Sequence, residues 1–298
     1  MKKSIYIIDL IGSFAGMDYY DTSLAKQISS DSCKVQILSN FSLTETAPFF
    51  YDIFGKSKLY TLYVMIWIYI KLFFHIFWHR KVVYIYMSYG EVYDFLFFTL
   101  NILNKKFFID IHEVYSSRYY QNAVMQKIFR HFYRHIITKV IYHSHKTKET
   151  LKEFGYSGRM LFVPHFKYEI DTNFNVAQLG EDVKRVFRSD KIKMLFFGNL
   201  RKVKGIDIVI NFINRYNVSD KLELVIAGRN VEKIDFSSIK NKCHIIDRHI
   251  NDDELKYLYE KTDYILLPYR DSSQSGVLEM GFAFRTPLLM SEIKTLAT

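Results

Sequence analysis

Short apolar runs alternate with longer helical segments along nearly the whole chain, and this alternation most constrains the fold. Strand-like runs lie at 5–10, 35–38, 82–87, 107–111, 140–143 and 160–163, with helix-like segments between them at 19–29, 59–78, 93–103, 123–137 and 145–154. A strand that is apolar on both faces must be covered on both, and strands alternating with helices in this way build a doubly wound parallel sheet. The pattern lapses over 169–190, a polar stretch that reads as a linker. It resumes with strands at 193–197, 222–227, 244–246, 264–267 and 287–290, and helices at 206–216, 252–259 and 275–284. The expectation is two doubly wound α/β halves, 1–168 and 191–298, facing a cleft. The chain stops at Thr298, just after a strand. One βαβ unit takes roughly 30 residues, so the second half is expected to be shortened or truncated by one or two closing units.

Ligands of open α/β sheets bind beyond the carboxyl ends of the strands, and that rule turns the strands into candidate loops. The strand at 264–267 ends in Pro268, a polar loop follows, and Ser275-Gly276 open a helix that has Glu279 in its first turn. Unpaired amides and the positive dipole end of such a helix make an anion site. The strand at 193–197 runs into Gly198-Asn199-Leu200-Arg201-Lys202-Val203-Lys204-Gly205. Arg grips phosphate oxygens bidentately and Lys acts as a point charge, so a cationic loop between glycines at a strand end points to phosphate.

After the first strand, Gly12-Ser13-Phe14-Ala15-Gly16-Met17 does not have the dinucleotide spacing, and no nicotinamide cofactor is expected. Gly16 serves either a tight strand–helix turn or close approach of backbone to a ligand. After 107–111 comes His112, which is either a surface histidine or a polar contact and general base. His143, His145 and His165 hold similar strand-end positions and could line the same place. No His/Cys/Asp spacing typical of zinc occurs, so no metal is expected.

Together these segments resemble the retaining GT-B glycosyltransferases of the large group called family 4. The resemblance rests on Gly198-Asn199-Leu200-Arg201-x-x-Lys204-Gly205, on Leu224-x-Ile226-Ala227-Gly228-Arg229 and on the run from Ile250 to Tyr269. Gln274-Ser275-Gly276-Val277-Leu278 through Pro287 resembles one subtype, and His112-Glu113, Tyr142-His143-Ser144 and Val163-Pro164-His165 are similar to weaker signatures of the first half. The resemblance implies two Rossmann-like domains and transfer of a sugar, with retention and without a metal, from a nucleoside-diphosphate sugar to a saccharide or lipid-linked acceptor. The donor is a co-substrate, and no cofactor is implied.

Carried over by position, Arg201 and Lys204 would hold the donor diphosphate together with the amides of Ser275, Gly276 and Val277, with Gly198 and Gly16 close to the donor. His112 would lie by the donor sugar and acceptor. An acidic residue near the helix start would hold ribose or sugar. Asp271 and Glu279 stand at the family's eight-residue separation, whereas anchoring on Pro287 puts Ser272 and Met280 there instead. The rival readings are a non-catalytic sugar-nucleotide-binding scaffold and a sugar-nucleotide epimerase of similar fold.

Charge and hydropathy address the partner. The formal charge of +10 implies an acidic partner, namely nucleic acid, anionic lipid or a phosphorylated small molecule. No nucleic-acid motif is present. Cys33 and Cys243 are the only cysteines, which fits a reducing compartment without disulfides. Asp9 cuts short the apolar run behind Lys2-Lys3, so the start reads as a buried strand and not as a signal peptide.

The 20 residues 59–78 are long enough to span a bilayer, but Lys71 and His75 fall inside them and the segment also fits a crossover helix. Interfacial contact is the favoured reading. Lys127, Arg130 and Arg134 share one face of the 123–137 helix, which suits anionic lipid. The expected location is the cytoplasmic side, peripheral on the inner face of the membrane.

Overall fold

The computed structural model describes residues 3–44, 47–51, 53, 56–216, 221–271 and 275–292. The chain divides into two compact units, 1–165 and 166–298.

The N-terminal unit runs β1 (Lys3–Ile8), α1 (Met17–Ile28), β2 (Cys33–Leu38), α2 (Lys58–Trp78), β3 (Val83–Ser88), α3 (Asp94–Phe98), β4 (Phe107–Ile111), α4 (Ala123–His135), β5 (Lys139–Tyr142), α5 (His145–Glu153) and β6 (Arg159–Phe162). Its strands form one parallel sheet in the order β2-β1-β3-β4-β5-β6. Met65, Ile68, Leu72 and Ile76 of α2 join Phe97 and Phe98 of α3 and Phe129 and Tyr133 of α4 in one core cluster over Tyr84, Tyr86 and Ile109 of the sheet. The 93–103 helix breaks into α3 and a 3-10 turn, Thr99–Ile102. The cause is local. Thr99 Oγ1 donates back to the Leu96 carbonyl at 2.6 Å, and Asn101 reaches out to the Ile136 carbonyl at 2.6 Å, both competing with the regular ladder.

The C-terminal unit runs α6 (Glu181–Val186), β7 (Ile192–Phe197), α7 (Ile206–Arg215), β8 (Leu222–Gly228), β9 (His244–Asp247), α8 (Asp252–Lys261), β10 (Tyr264–Leu267), α9 (Gly276–Phe284) and β11 (Leu288–Met290). Its parallel sheet has the order β11-β10-β7-β8-β9. Phe196, Leu200, Ile206, Val209, Leu224 and Ile226 form the core of one face.

Part of the polar stretch at 169–190 is tied down along α8. Asn175 N donates to Asp253 at 2.8 Å, and Gly180 N to Glu254 at 3.0 Å. Arg248 then bridges Asp182 of α6 and the buried Glu254, each at 2.7 Å, while Asn251 and Glu254 close a capping box at the start of α8. The α6 turn therefore forms through partners more than 60 residues away. Arg248→Met strips the buried Glu254 of its counter-charge and should destabilise this unit by about 2–3 kcal/mol. The pKa of Glu254 is depressed: burial is the largest single influence and opposes this, but the hydrogen bonds from Arg248, Gly180 and Asn251 and the Arg248 charge together outweigh it. The contribution is thus complete above the ordinary Glu pKa and is lost as the pH falls through the folded value. Urea unfolding of wild type and variant at neutral pH and near pH 4 checks both the size and the narrowing of the gap.

Candidate functional site

Each sheet reverses its strand order once, and chemistry is expected at such a switch point. In the C-terminal unit the reversal lies between β7 and β10, the strands that feed the Gly198–Gly205 loop and the Pro268–Ser275 loop. The fold brings these two segments together. Arg270 N donates to the Val203 carbonyl at 2.9 Å, and the Arg270 guanidinium reaches the Lys202 carbonyl at 2.8 Å and forks onto Asp207 of α7 at 2.5 and 2.6 Å. Gly205 stands at φ +79, and a Cβ there would lie 1.9 Å from the Pro268 oxygen, so only glycine lets the loops touch.

Within this junction, Lys202–Lys204 form one 3-10 turn with Arg201 at its N-cap. The Arg201 Nε is shielded from solvent and, among the described residues, makes no hydrogen bond. A buried donor of this kind asks for an acceptor. Lys204 Nζ lies 5.5 Å from the Tyr269 ring and 3.3 Å from where a Cβ on Gly198 would be, and Val277 borders the same spot at 3.5 Å. No ion pair of Arg201 or Lys204 occurs among the described residues.

Ser275 caps α9, with its hydroxyl accepting from Leu278 N at 3.3 Å and paired with the Tyr269 hydroxyl at 3.2 Å. The first-turn amides of Gly276 and Val277 have no intrahelical acceptor. Glu279 is buried in that turn, and Asp271 is half-buried beside Arg270. Ser272 and Gln274 lie outside the described residues. The fold thus brings Gly198, Lys204 and Val277 to one spot, with Arg201 heading the same 3-10 turn as Lys204, and Ser275 and Gly276 opening the same helix as Val277. Arg270 and Asp207, 63 positions apart, are the clamp that spacing could not reveal.

In the N-terminal unit the reversal lies between β1 and β3. Gly16 has φ +73 and ends the turn into α1, where a Cβ would meet nothing nearer than 3.9 Å, so backbone conformation and not crowding calls for glycine. Asp9 follows β1 and accepts from the amides of Ile11 and Gly12 at 2.9 Å each. Asp21, fully buried, has its pKa raised well above the usual carboxylate value, first by burial and then by the Asp9 charge.

His112 extends β4, with its N–H donating to the Ser88 carbonyl at 2.9 Å. Its buried ring stacks on Tyr89 at 5.2 Å and meets Tyr20 edge-on at 4.6 Å. His143 and His165 also border Tyr20, whereas the exposed His145 packs on Phe162 instead.

His143 holds the group together. Its Nδ1 faces the Val163 carbonyl at 2.8 Å and its Nε2 faces Asp110 Oδ1 at 2.5 Å, while the Tyr20 hydroxyl donates to Asp110 Oδ2 at 3.1 Å. A carbonyl on one ring nitrogen and a carboxylate on the other suit an imidazolium, which donates at both. Burial disfavours this charge, yet the field of Asp110 and the two hydrogen bonds outweigh it and raise the His143 pKa. Asp110 is depressed in turn, with burial outweighed by His143.

The fold also makes one grouping that linear spacing does not show. Asp110, His112 and His143 offer ligand atoms within 4.8 Å of one another, a group that could hold a metal ion. Neighbouring parallel strands β4 and β5 deliver residues 31 to 33 positions apart to one spot, which linear spacing does not show. A cation there would have to displace the proton that now joins His143 to Asp110.

No family description and no curated protein matches the sequence. Solved structures do match in shape. HepE from Anabaena, in complex with UDP-glucose, has a TM-score of 0.63 at 10% identity, over 99% of this chain and 82% of its own. Sucrose-phosphate synthase from Thermosynechococcus elongatus scores 0.67 at 14% identity, over 99% and 82%. WaaG, a glycosyltransferase involved in lipopolysaccharide biosynthesis, scores 0.61 at 13%, over 97% and 81%. Identities this low establish the fold, two Rossmann-like parallel-sheet units of the GT-B class.

Asp110→Asn should destabilise the N-terminal unit by about 3 kcal/mol near pH 6, because it leaves a buried imidazole site without its counter-charge. A raised histidine pKa stabilises below the ordinary value of 6.5 and loses that effect as the pH rises through the folded value; a depressed aspartate loses its effect as the pH falls through its own. The gap between wild type and variant, read from unfolding curves, should therefore be widest between about pH 4 and 6.5 and shrink on both sides.

Proposed function

We propose that the protein is a glycosyltransferase that moves a sugar from a nucleoside-diphosphate donor to a saccharide or lipid-linked acceptor. The observation that carries this reading is the junction of the Arg201–Lys204 turn with the N-terminus of α9. Among the described residues, Lys204 without an ion pair meets the start of α9 beside Gly198, and Arg201, heading the same turn, has a buried guanidinium nitrogen without an acceptor; with the helix-terminal amides these groups are complementary to a diphosphate. The UDP-glucose bound by HepE and the glycosyltransferase activity of WaaG support the same reading, as does the family resemblance of the sequence.

In this reading the bond between the sugar's anomeric carbon and the diphosphate oxygen breaks, an acceptor hydroxyl oxygen takes its place with retained configuration, and the hydroxyl proton passes to the departing diphosphate. Arg201, Lys204 and the amides of Gly276 and Val277 stabilise the charge that develops on the leaving diphosphate. They are fixed in place beforehand, so they need not reorganise as the charge forms. No metal is required for that role. Glu279 or a neighbour such as Asp271 holds the ribose or the sugar. His112, its ring held between Tyr89 and Tyr20, serves the donor sugar and acceptor. The biological setting is assembly of a cell-surface polysaccharide or glycolipid at the cytoplasmic face of the membrane.

The test is incubation with a panel of nucleotide sugars and membrane or saccharide acceptors, read by product mass. Arg201→Ala and Lys204→Ala should each lower kcat/KM by about a hundredfold, the usual loss on removing one charge-stabilising donor. Unchanged turnover in both would overturn the diphosphate assignment. Nucleoside diphosphate binding without turnover would mark a scaffold, and interconversion of free nucleotide sugars without any acceptor would mark an epimerase.

A further inference from the structure

We infer that the outer face of α2 is a docking surface for an anionic membrane. At 3.6 residues per turn, Met65, Ile68, Leu72 and Ile76 fall on one stripe, and these are the residues buried on the sheet. Leu59, Tyr63, Trp67, Ile70, Phe74 and Trp78 fall within an arc of about 100° on the opposite side. All six are exposed, Leu59 to 81% and Trp78 to 69%. A crossover helix of a soluble sheet usually turns polar residues outward. Here the outward face is as apolar as the inward one. The helix is long and apolar enough to cross a bilayer, yet its inner stripe is committed to the core, so it lies along a surface and does not pass through one.

Lys58, Thr61, Lys71 and His75 all fall outside this arc. Lys71 lies at the edge of the face, its Nζ donating to the Phe49 carbonyl at 2.7 Å and held between the Phe49 ring at 4.1 Å and the Trp67 ring at 4.8 Å. His75 turns toward the sheet, its Nδ1 at 2.9 Å from the Tyr84 hydroxyl, and burial, then its neighbours His79 and Lys71, lower its pKa to about 4, so it is neutral.

Charge decides the occupant. Lys56 and Lys58 are exposed at the start of the helix, Arg80 and Lys81 at its end. Both ends of the apolar face are cationic. An antiparallel pairing of two copies would set one copy's Arg80 and Lys81 against the other's Lys56 and Lys58, and each copy carries a formal +10. An anionic lipid surface satisfies both ends at once while it buries the apolar stripe, and Tyr and Trp are the aromatics that favour the headgroup boundary. Arg130 lies 5.3 Å over the Phe154 ring and Arg134 packs against Gly155, although both remain exposed.

The chain's two tryptophans, Trp67 and Trp78, both lie on this face, so its own fluorescence reports contact. The full chain is titrated with phosphatidylcholine vesicles, with and without phosphatidylglycerol, and read by tryptophan emission and cosedimentation. Vesicles containing phosphatidylglycerol should shift the emission to the blue and sediment the protein. Tyr63→Ser/Ile70→Ser/Phe74→Ser should weaken binding by at least about tenfold, and Lys56→Gln/Lys58→Gln/Arg80→Gln should abolish the preference for anionic lipid. Circular dichroism confirms that both variants are folded. Binding unaffected by the apolar triple variant would overturn the proposal. So would a concentration-dependent blue shift without vesicles, with dimers in sedimentation, which assigns the face to a second copy. Vesicle binding needs no turnover, so this test stands or falls separately from the proposed sugar transfer.

Discussion

A parallel strand can be joined to its neighbour only by a crossover over one face of the sheet. Where successive crossovers leave in opposite directions, no connection closes over the two strand ends, and polar groups can gather there without sealing the place off. The reversals at β1/β3 and β7/β10 are the two positions where this chain does so. Both collect groups that a core would reject. In the C-terminal unit these are cations and helix amides, and in the N-terminal unit they are buried carboxyls and histidines. The rest of each sheet, covered by apolar helices, provides the burial that gives those groups their unusual energetics.

Those energetics differ between the units. In the N-terminal unit the charges are settled internally: His143 is satisfied by Asp110 and the Val163 carbonyl, and Asp9 by two amides. Such a network orders its surroundings, and it fixes the Tyr20 ring that His112 meets edge-on. In the C-terminal unit two kinds of cation coexist. Arg248 and Arg270 are forked onto carboxylates and hold loops in place. Arg201 and Lys204, in the turn that Arg270 holds, have no such carboxylate among the described residues. Pairing every cation would make a stable loop with nothing left for a ligand; the clamp at Arg270 is what lets the other two stay unpaired at little cost in order.

Element positions were legible in the sequence because they depend on local period and local turn chemistry. Strand 107–111 was read with its observed ends, and α2 differs by one residue at its start. The loop of Arg201 and Lys204 was legible for the same reason, as its glycines and cations are contiguous. The partners of these groups were not. Asp110 and His143 lie 33 positions apart, Asp207 and Arg270 lie 63, and Asp182 and Arg248 lie 66. Only the order of strands decides which strand ends become neighbours, and hydrophobic period says nothing about that order. The short helix α6 escaped notice because its sequence is weakly periodic and its stability comes from Arg248. In α2 the apolar run was plain, but which residues face the sheet follows from the packing of Met65 and Leu72.

The magnitudes at α2 bear on how the protein would use a membrane. Fully burying an apolar side chain is worth about 1.5–3 kcal/mol, and the six outward residues are already partly covered by the helix and one another. Their gain at an interface is therefore on the order of 5 kcal/mol, to which each nearby cation adds about 1 kcal/mol on anionic lipid. Loss of translational freedom takes back a good part of this sum. The balance describes reversible docking, strong where anionic headgroups are dense and weak elsewhere. A helix anchored in the core by one face and apolar on the other suits that regime. It can leave the lipid without unfolding, because its inner stripe never enters the exchange.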